Sequence, residues 1–305
     1  MITLRRDRER HHGRRRRSDV WLTFYPGADT DPLAGGFGAL DVFSENQLPP
    51  GAGVSPQPRR EAEVVTYVQS GALAQQDSTG HSGMVQAGEF QLRTIGRKVH
   101  HSERNASETD WAHIFRMSLR PAAAAPAQSY EQRLFPVAER RGVLCVVASP
   151  DGRGNSLHLH QDATILSAIL EPGQHLIHEL APGRCVWLHV VQGEVTLDDV
   201  VLASGDGVGV ANERSVSATA REEAEILLLD LPALPPTSPT QEVSHEHGEH
   251  RSSRRRPVAP ARAHRGARPR NRAAAEAGSG GRRQDAAGCH PDALVRAGRH
   301  ARAWP

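Results

Sequence analysis

Cysteine is scarce in this chain of 305 residues: Cys145, Cys185 and Cys289 are the whole supply. No two stand at C-x-x-C spacing, which excludes a zinc ribbon and a disulfide framework. No run of about 18 apolar residues occurs, so no spanning helix is expected. The arginine-rich start has no apolar stretch behind it to act as a secretion signal. A soluble, cytoplasmic protein with no membrane partner is the expectation. No P-loop, dinucleotide fingerprint or serine–histidine–aspartate order is present, so the usual signatures of nucleotide binding and serine hydrolysis are missing. Hydrophobic residues make up 38%, below the ~45–50% of an ordinary globular domain. Part of the chain is therefore expected to build no core.

Charge is unevenly spread. The formal net charge is only +2, yet residues 1–18 hold eight arginines against Asp7 and Glu9. Residues 241–305 hold fourteen arginines against six acids, which leaves the body, 19–240, at −12. An acidic body is a poor nucleic-acid surface. The basic tail could touch nucleic acid only weakly, through phosphate contacts, since it lacks interleaved aromatics.

What the body does contain is β texture. EAEVVTYVQSG, SGMVQAGEFQLRTIG and AHIFRMSLRP precede the linker-like PAAAAPAQ; GVLCVVASP, CVWLHVVQGEVTLDDVVLASGDGVGV and AEILLLDLP follow it. Short segments rich in branched residues, with turns at about 8–12-residue spacing, are the pattern of an all-β sandwich or barrel. The halves echo each other: apolar strand, Gly, short strand, Asp, apolar strand, then a Gly-acid turn at Gly88-Glu89 and at Gly205-Asp206. That echo predicts two copies of one barrel in tandem. From Pro235 onward the pattern stops. Ala, Arg, Gly and Pro dominate, and such a segment buries too little surface to offset its chain entropy.

GFGALDVFSENQLPPGAG, RREAEVVTYVQSGALAQQDSTGHSG, QAGEFQ, HHSERN and SYEQRLFP together resemble the pirin family. Its members are bicupins, and bacterial ones are often described as quercetin 2,3-dioxygenase-like. The resemblance runs from Trp21 to Leu231, with MITLRR as a family-style opening upstream. It implies an all-β fold of two tandem cupin (jelly-roll) barrels, to which composition adds the expectation of disordered, Arg-rich termini. The implied layout is an N-terminal segment at 1–18, a first cupin at 19–120 and a linker at 121–135. A second cupin at 136–232 and a basic tail at 233–305 complete it.

The resemblance also implies a divalent metal, iron first, held in the first barrel by three histidines and a glutamate. The family pattern is His-Pro-His early and His-Ser-Glu later. Here the later pair is present as His101-Ser102-Glu103, while the earlier reads Gln57-Pro58-Arg59. Lys98, four residues before Ser102, adds a cation nearby. Alternation makes His-x-His a good ligand pair, because both rings leave one face of a strand. Gln57 can offer only a weak carbonyl oxygen, and Arg59 stays protonated and cannot ligate. At ~5 Å from a divalent ion, Arg59 would repel it by roughly 6–7 kcal/mol at an effective dielectric of 20.

Two function classes follow. As an enzyme, the chain would be a quercetin 2,3-dioxygenase-like oxygenase, splitting the flavonol ring with release of carbon monoxide. Glu103 would be its catalytic carboxylate, with His101, Glu103 and Gln57 on the metal. As a binding module, it would have Arg59 in the cation's place, paired with Glu103. A small anionic or flavonoid-like ligand would then occupy the pocket, and the chain would act through a protein partner, as some family members are thought to act in transcription. Restoring histidine at 57 and 59 is expected to recover metal.

Other candidates carry plainer readings. His158 and His160, with Gln161, Asp162, His175, His178 and His189, could form a relocated metal site. The plainer alternative is a strand-end hydrogen-bonding cluster. His100 points opposite to His101. His245, His247 and His250 in HEHGEH suit only adventitious metal. Asp77-Ser78 and Asp198-Asp199 read as hairpin turns, and Cys145 and Cys185 as inert thiols within apolar strands.

Overall fold

Alternation decides which way each strand faces. In VVTYV, Val65 and Tyr67 leave one face and join the largest hydrophobic core, while Val68 leaves the other and joins a separate, smaller one. The computed structural model describes residues 1–15, 17–25, 31–54, 62–77, 82–95, 101–122 and 129–233. Gln57, Arg59, Lys98, His100, the side chain of His101 and the whole tail from 234 lie outside the described residues.

The first part of the chain forms β1 (Ile2–Arg5), β2 (His11–Arg15), β3 (Ser18–Leu22), β4 (Leu40–Leu48), β5 (Ala62–Ser70), β6 (Ala72–Asp77), β7 (Ser82–Gln86), β8 (Glu89–Ile95), β9 (His101–Asn105), β10 (Ala112–Leu119) and β11 (Tyr130–Leu134). After a single helical turn at Val137–Arg140 come β12 (Cys145–Ser149), β13 (Leu157–His158), β14 (Thr164–Leu170), β15 (His175–Glu179), β16 (Arg184–Gln192), β17 (Glu194–Leu197), β18 (Val200–Ala203), β19 (Gly207–Ala211), β20 (Ser215–Ala220) and β21 (Ala224–Pro232). They build two barrels, each a seven-stranded sheet facing a smaller one: β11-β8-β5-β10-β4-β3-β2 with β7-β6-β9, and β1-β19-β16-β21-β14-β12-β13 with β15-β20-β17-β18. The expected all-β, two-cupin architecture is present.

The internal echo is a structural one. Gly71 follows β5 and Gly193 follows β16, both with positive φ (77° and 81°). A Cβ at Gly71 would stand 2.7 Å from Ala112 Cα, and one at Gly193 would stand 2.2 Å from Glu223 O. Only glycine fits either turn. The expected turn at Asp198 is likewise present, with φ 49° between β17 and β18.

Two expectations need correction. Residues 1–18 were expected to be disordered, yet ITLR pairs with β19 of the second barrel, and His11–Arg15 pairs with β3 of the first. The arginines are neutralised by distant acids: Arg5 meets Asp31 at 2.6 Å, Arg6 meets Asp206 at 2.7 Å and Arg10 meets Glu45 at 2.7 Å. Part of the charge asymmetry is thus paired within the molecule. The expected linker at 121–135 also carries structure, since its stretch Tyr130–Leu134 is β11 and extends the first barrel's large sheet.

The two large sheets pack face to face. Phe43, Phe90, Phe115 and Tyr67 of one meet Trp187, Leu227 and Leu229 of the other in the largest core. Two buried carboxylates at this seam are well partnered, while both ring nitrogens of His189 and the Trp187 indole N–H have no hydrogen-bond partner. Glu225 accepts from the Tyr67 hydroxyl (2.5 Å) and from Arg140 (2.6 Å). Glu63 accepts from the backbone N–H groups of His160 (2.9 Å) and Gln161 (2.7 Å). Burial pushes the Glu45 carboxyl up, but the His113 hydrogen bond and the Arg10 charge outweigh it and hold the group at about 2. His189, fully buried against Phe43, is held neutral by burial and by Arg10, at about 3.

Candidate functional site

The barrel interiors differ in kind. In the second barrel, one row of inward positions runs Leu4, Val208, Leu188, Leu228, Leu166 and Val146 across six paired strands. Every member is aliphatic, and all pack in or against one core. The corresponding row in the first barrel runs Leu22, Ser44, Arg116, Thr66, Gln91 and Gln132. Every member but Leu22, towards the sheet's edge, is polar. From the facing sheet, Gln75 and Glu103 stand opposite each other across β6 and β9. Apolar packing is confined to one end, where Leu48, Val68, Leu73, Val85, Ala112 and Ile114 cluster. A row of buried polar groups is expensive unless each finds a partner. The first barrel's interior is therefore the one whose side chains have hydrogen-bonding capacity to offer.

Glu103, the carboxylate of the His-Ser-Glu motif, stands among these polar groups. Its Oε1 pairs with Arg93 Nη1 at 3.0 Å, and its Oε2 accepts from Arg116 Nη2. The two guanidinium groups come from β8 and β10 of the large sheet and the carboxylate from β9 of the small one, so the clamp ties the two sheets together. The expected partner of Glu103, Arg59, lies outside the described residues; the counter-charges seen on Glu103 are Arg93 and Arg116, which the sequence alone does not single out. Beside β9, the Val54 N–H donates to Glu103 O at 2.8 Å.

A glutamine–tyrosine network adjoins the clamp. Gln132 Nε2 donates to Met84 O and to Glu89 Oε2, each at 2.8 Å. Gln132 therefore presents its oxygen to the Tyr130 hydroxyl, which donates to it. Tyr130 in turn accepts from Gln75 Nε2 (3.1 Å) and Gln91 Nε2 (3.3 Å). Both amides are thereby oriented, and Gln75 Oε1 and Gln91 Oε1 are left buried without a partner. Arg116 Nε is in the same condition. Gln75, Gln91 and Arg116 are all buried.

Of the other candidate histidines among the described residues, only His158 and His160 are neighbours, with ring centroids 5.7 Å apart, and the rest are scattered. His160 Nδ1 bonds Glu63 (2.9 Å), His175 bonds Thr219 (2.9 Å) and His178 bonds Asp230 (2.8 Å), while His189 lies in the seam. Asp162 pairs with Arg184 at 2.8 Å. Among the described residues, no group of three or more His, Cys, Asp or Glu is arranged to hold a metal. Cys145 and Cys185 are free, and burial pushes the Cys185 thiol up to about 11. Among the described residues no helix is long and apolar enough to cross a membrane.

Comparison with known proteins covers both barrels. Residues 5–118 match the family described as Pirin, and residues 146–231 match the family described as quercetinase C-terminal cupin domain. A protein of Escherichia coli K12 named quercetin 2,3-dioxygenase is 36% identical over 232 residues, covering 76% of this chain and 99% of its own length. A pirin-like protein of Caulobacter vibrioides is 32% identical, over 66% of this chain and 86% of its own. A solved structure of the bacterial pirin YhhW from Escherichia coli, in complex with nickel(II), superposes with a TM-score of 0.70 at 35% identity, covering 77% of this chain and 100% of that one.

Proposed function

The chain belongs to the pirin family, a bicupin related to quercetin 2,3-dioxygenase, and on that footing we propose that its first barrel is a metal-free chamber for a small anion. The observation that carries this reading is the clamp on Glu103, whose two carboxylate oxygens are engaged by Arg93 and Arg116. A divalent ion would need that carboxylate as a ligand. It would also have to sit beside two permanent cations, each repelling it by roughly 6–7 kcal/mol at ~5 Å and an effective dielectric of 20. The unpartnered Arg116 Nε is a donor and suits an anion, not a cation. The donor set of the described chamber therefore does not fit a metal. Gln57 and Arg59, which stand where the family pattern has histidines, point the same way.

A second reading has specific support: the relative named quercetin 2,3-dioxygenase, and the nickel complex of a bacterial pirin. In it the chain is a metal-dependent, quercetin 2,3-dioxygenase-like oxidoreductase using His101 and Glu103, with Gln57 as a third ligand. That arrangement requires Arg93 and Arg116 to release Glu103. In the first reading the chamber serves a binding role, and a protein partner would respond to its occupancy.

Turnover separates the two. The full chain is assayed with quercetin under iron, nickel or manganese, following flavonol absorbance and oxygen uptake. The metal-free reading predicts no rate above free metal ion. Metal-dependent turnover that is lost in Glu103→Gln would establish the oxygenase instead.

A further inference from the structure

Of the eleven buried side-chain atoms without a partner among the described residues, three belong to the polar row and facing strand of the first barrel, and these three describe a ligand. Gln75 Oε1 and Gln91 Oε1 are buried acceptors that lack donors, and Arg116 Nε is a buried donor that lacks an acceptor. Their orientation follows from the network, since Tyr130 spends its proton on Gln132 and can only accept from the two amides. Strand register brings them to one interior. Arg116 and Gln91 flank Thr66 in the polar row, and Gln75 faces Glu103, to which Arg116 is bound. Buried polar atoms of this kind are rarely left without partners.

Resting on the anion-chamber reading above, we infer that the first barrel binds a small hydroxy-carboxylate. Its carboxylate accepts from Arg116 Nε, and its hydroxyl groups donate to Gln75 Oε1 and Gln91 Oε1. A simple carboxylate satisfies the arginine and leaves both amide oxygens orphaned. A neutral polyol can reach all three atoms, since a hydroxyl oxygen accepts from Arg116 Nε, but it forgoes the charge-assisted bond that a carboxylate makes to a guanidinium. A molecule with both groups completes the set with the stronger bond at the arginine. A site built to hydrogen-bond a hydroxyl discriminates strongly against the analogue that lacks it, because its own polar atoms then stay unpaired.

Three probes with one carbon skeleton test this: glycerate, propanoate and glycerol, titrated calorimetrically into the full chain at low salt. Glycerate is expected to bind at least about tenfold more tightly than either of the others. Gln91→Met, which changes no charge, is expected to bring glycerate down to the level of propanoate, and Arg116→Met to bring it down to the level of glycerol. Propanoate binding as tightly as glycerate would overturn the hydroxyl inference while leaving the anion chamber standing. Glycerol binding as tightly as glycerate, with Arg116→Met without effect, would overturn both. Binding of none of the three would overturn the inference, the orphan atoms then being served by water alone.

Discussion

Replacing Glu103 by glutamine removes the one carboxylate seen between Arg93 and Arg116 while keeping its shape. The side chains of Glu103, Arg93 and Arg116 are 13%, 12% and 6% exposed, so this is a buried set and not a surface pair. Each contact is worth about 4 kcal/mol of attraction at ~4 Å and an effective dielectric of 20, before desolvation. Removing one member of a buried pair strands the other charge and typically destabilises by about 3–5 kcal/mol. Partial exposure places the expectation near the low end, about 3 kcal/mol, or roughly 100-fold in the folding equilibrium. The assay is urea unfolding of the full chain in EDTA, followed by circular dichroism. If Glu103 were instead a metal ligand held apart from the arginines, Glu103→Gln would leave the metal-stripped protein unchanged and weaken only the metal-loaded one. Equal stability of variant and parent in EDTA, within about 0.5 kcal/mol, would refute the clamp.

The remaining predictions concern the seam and the missing histidines. Because His189 is held near 3 and Glu45 near 2 in the fold, the unfolded chain binds protons first as pH falls. Stability should decline below pH ~6.5 by up to about 1.4 kcal/mol per unit from His189, and more steeply once Glu45 contributes below ~4.5. His189→Leu should flatten the limb between those two values, and an unchanged pH profile would contradict the assignment. Arg140→Met strands the buried Glu225 with only the Tyr67 hydroxyl. It should cost about 3–4 kcal/mol in urea unfolding, and the added change Glu225→Gln should restore much of it. Gln57→His/Arg59→His, expected from sequence alone to recover metal, should gain little while the clamp persists. Adding Arg93→Met and Arg116→Gln should bring metal in, and elemental analysis of the two variants distinguishes the outcomes.

Much of the fold was legible because alternation and turn chemistry are local. Gly71 and Gly193, Gly88 and Gly205 mark the same turns in both halves, and the echo between them needed no long-range information. The N-terminal segment was misread for the opposite reason. Arg6 and Arg10 are tolerated inside the fold only because Asp206 and Glu45 meet them, and nothing near them in sequence announces those partners. Glu103 was found through its motif. Arg93, Arg116, Gln75 and Gln91 were not, although EFQLRTI, IFRMS and ALAQQD display the alternation that places them. Alternation alone does not say whether a polar face meets solvent or a chamber. Phe90, Leu92, Phe115 and Met117 settle it, because their face is buried against the second barrel and sends the polar face into the first.

Metal content tests the central claim most directly. The full chain, carrying alanine at His245, His247 and His250 so that the tail adds nothing, is produced with iron, nickel, manganese and zinc supplied and its metal measured per chain. The clamp predicts far less than one metal per chain, with no change in Glu103→Gln. Close to one metal per chain, lost in Glu103→Gln, would mean that the arginines give way and that the barrel is a metal centre after all.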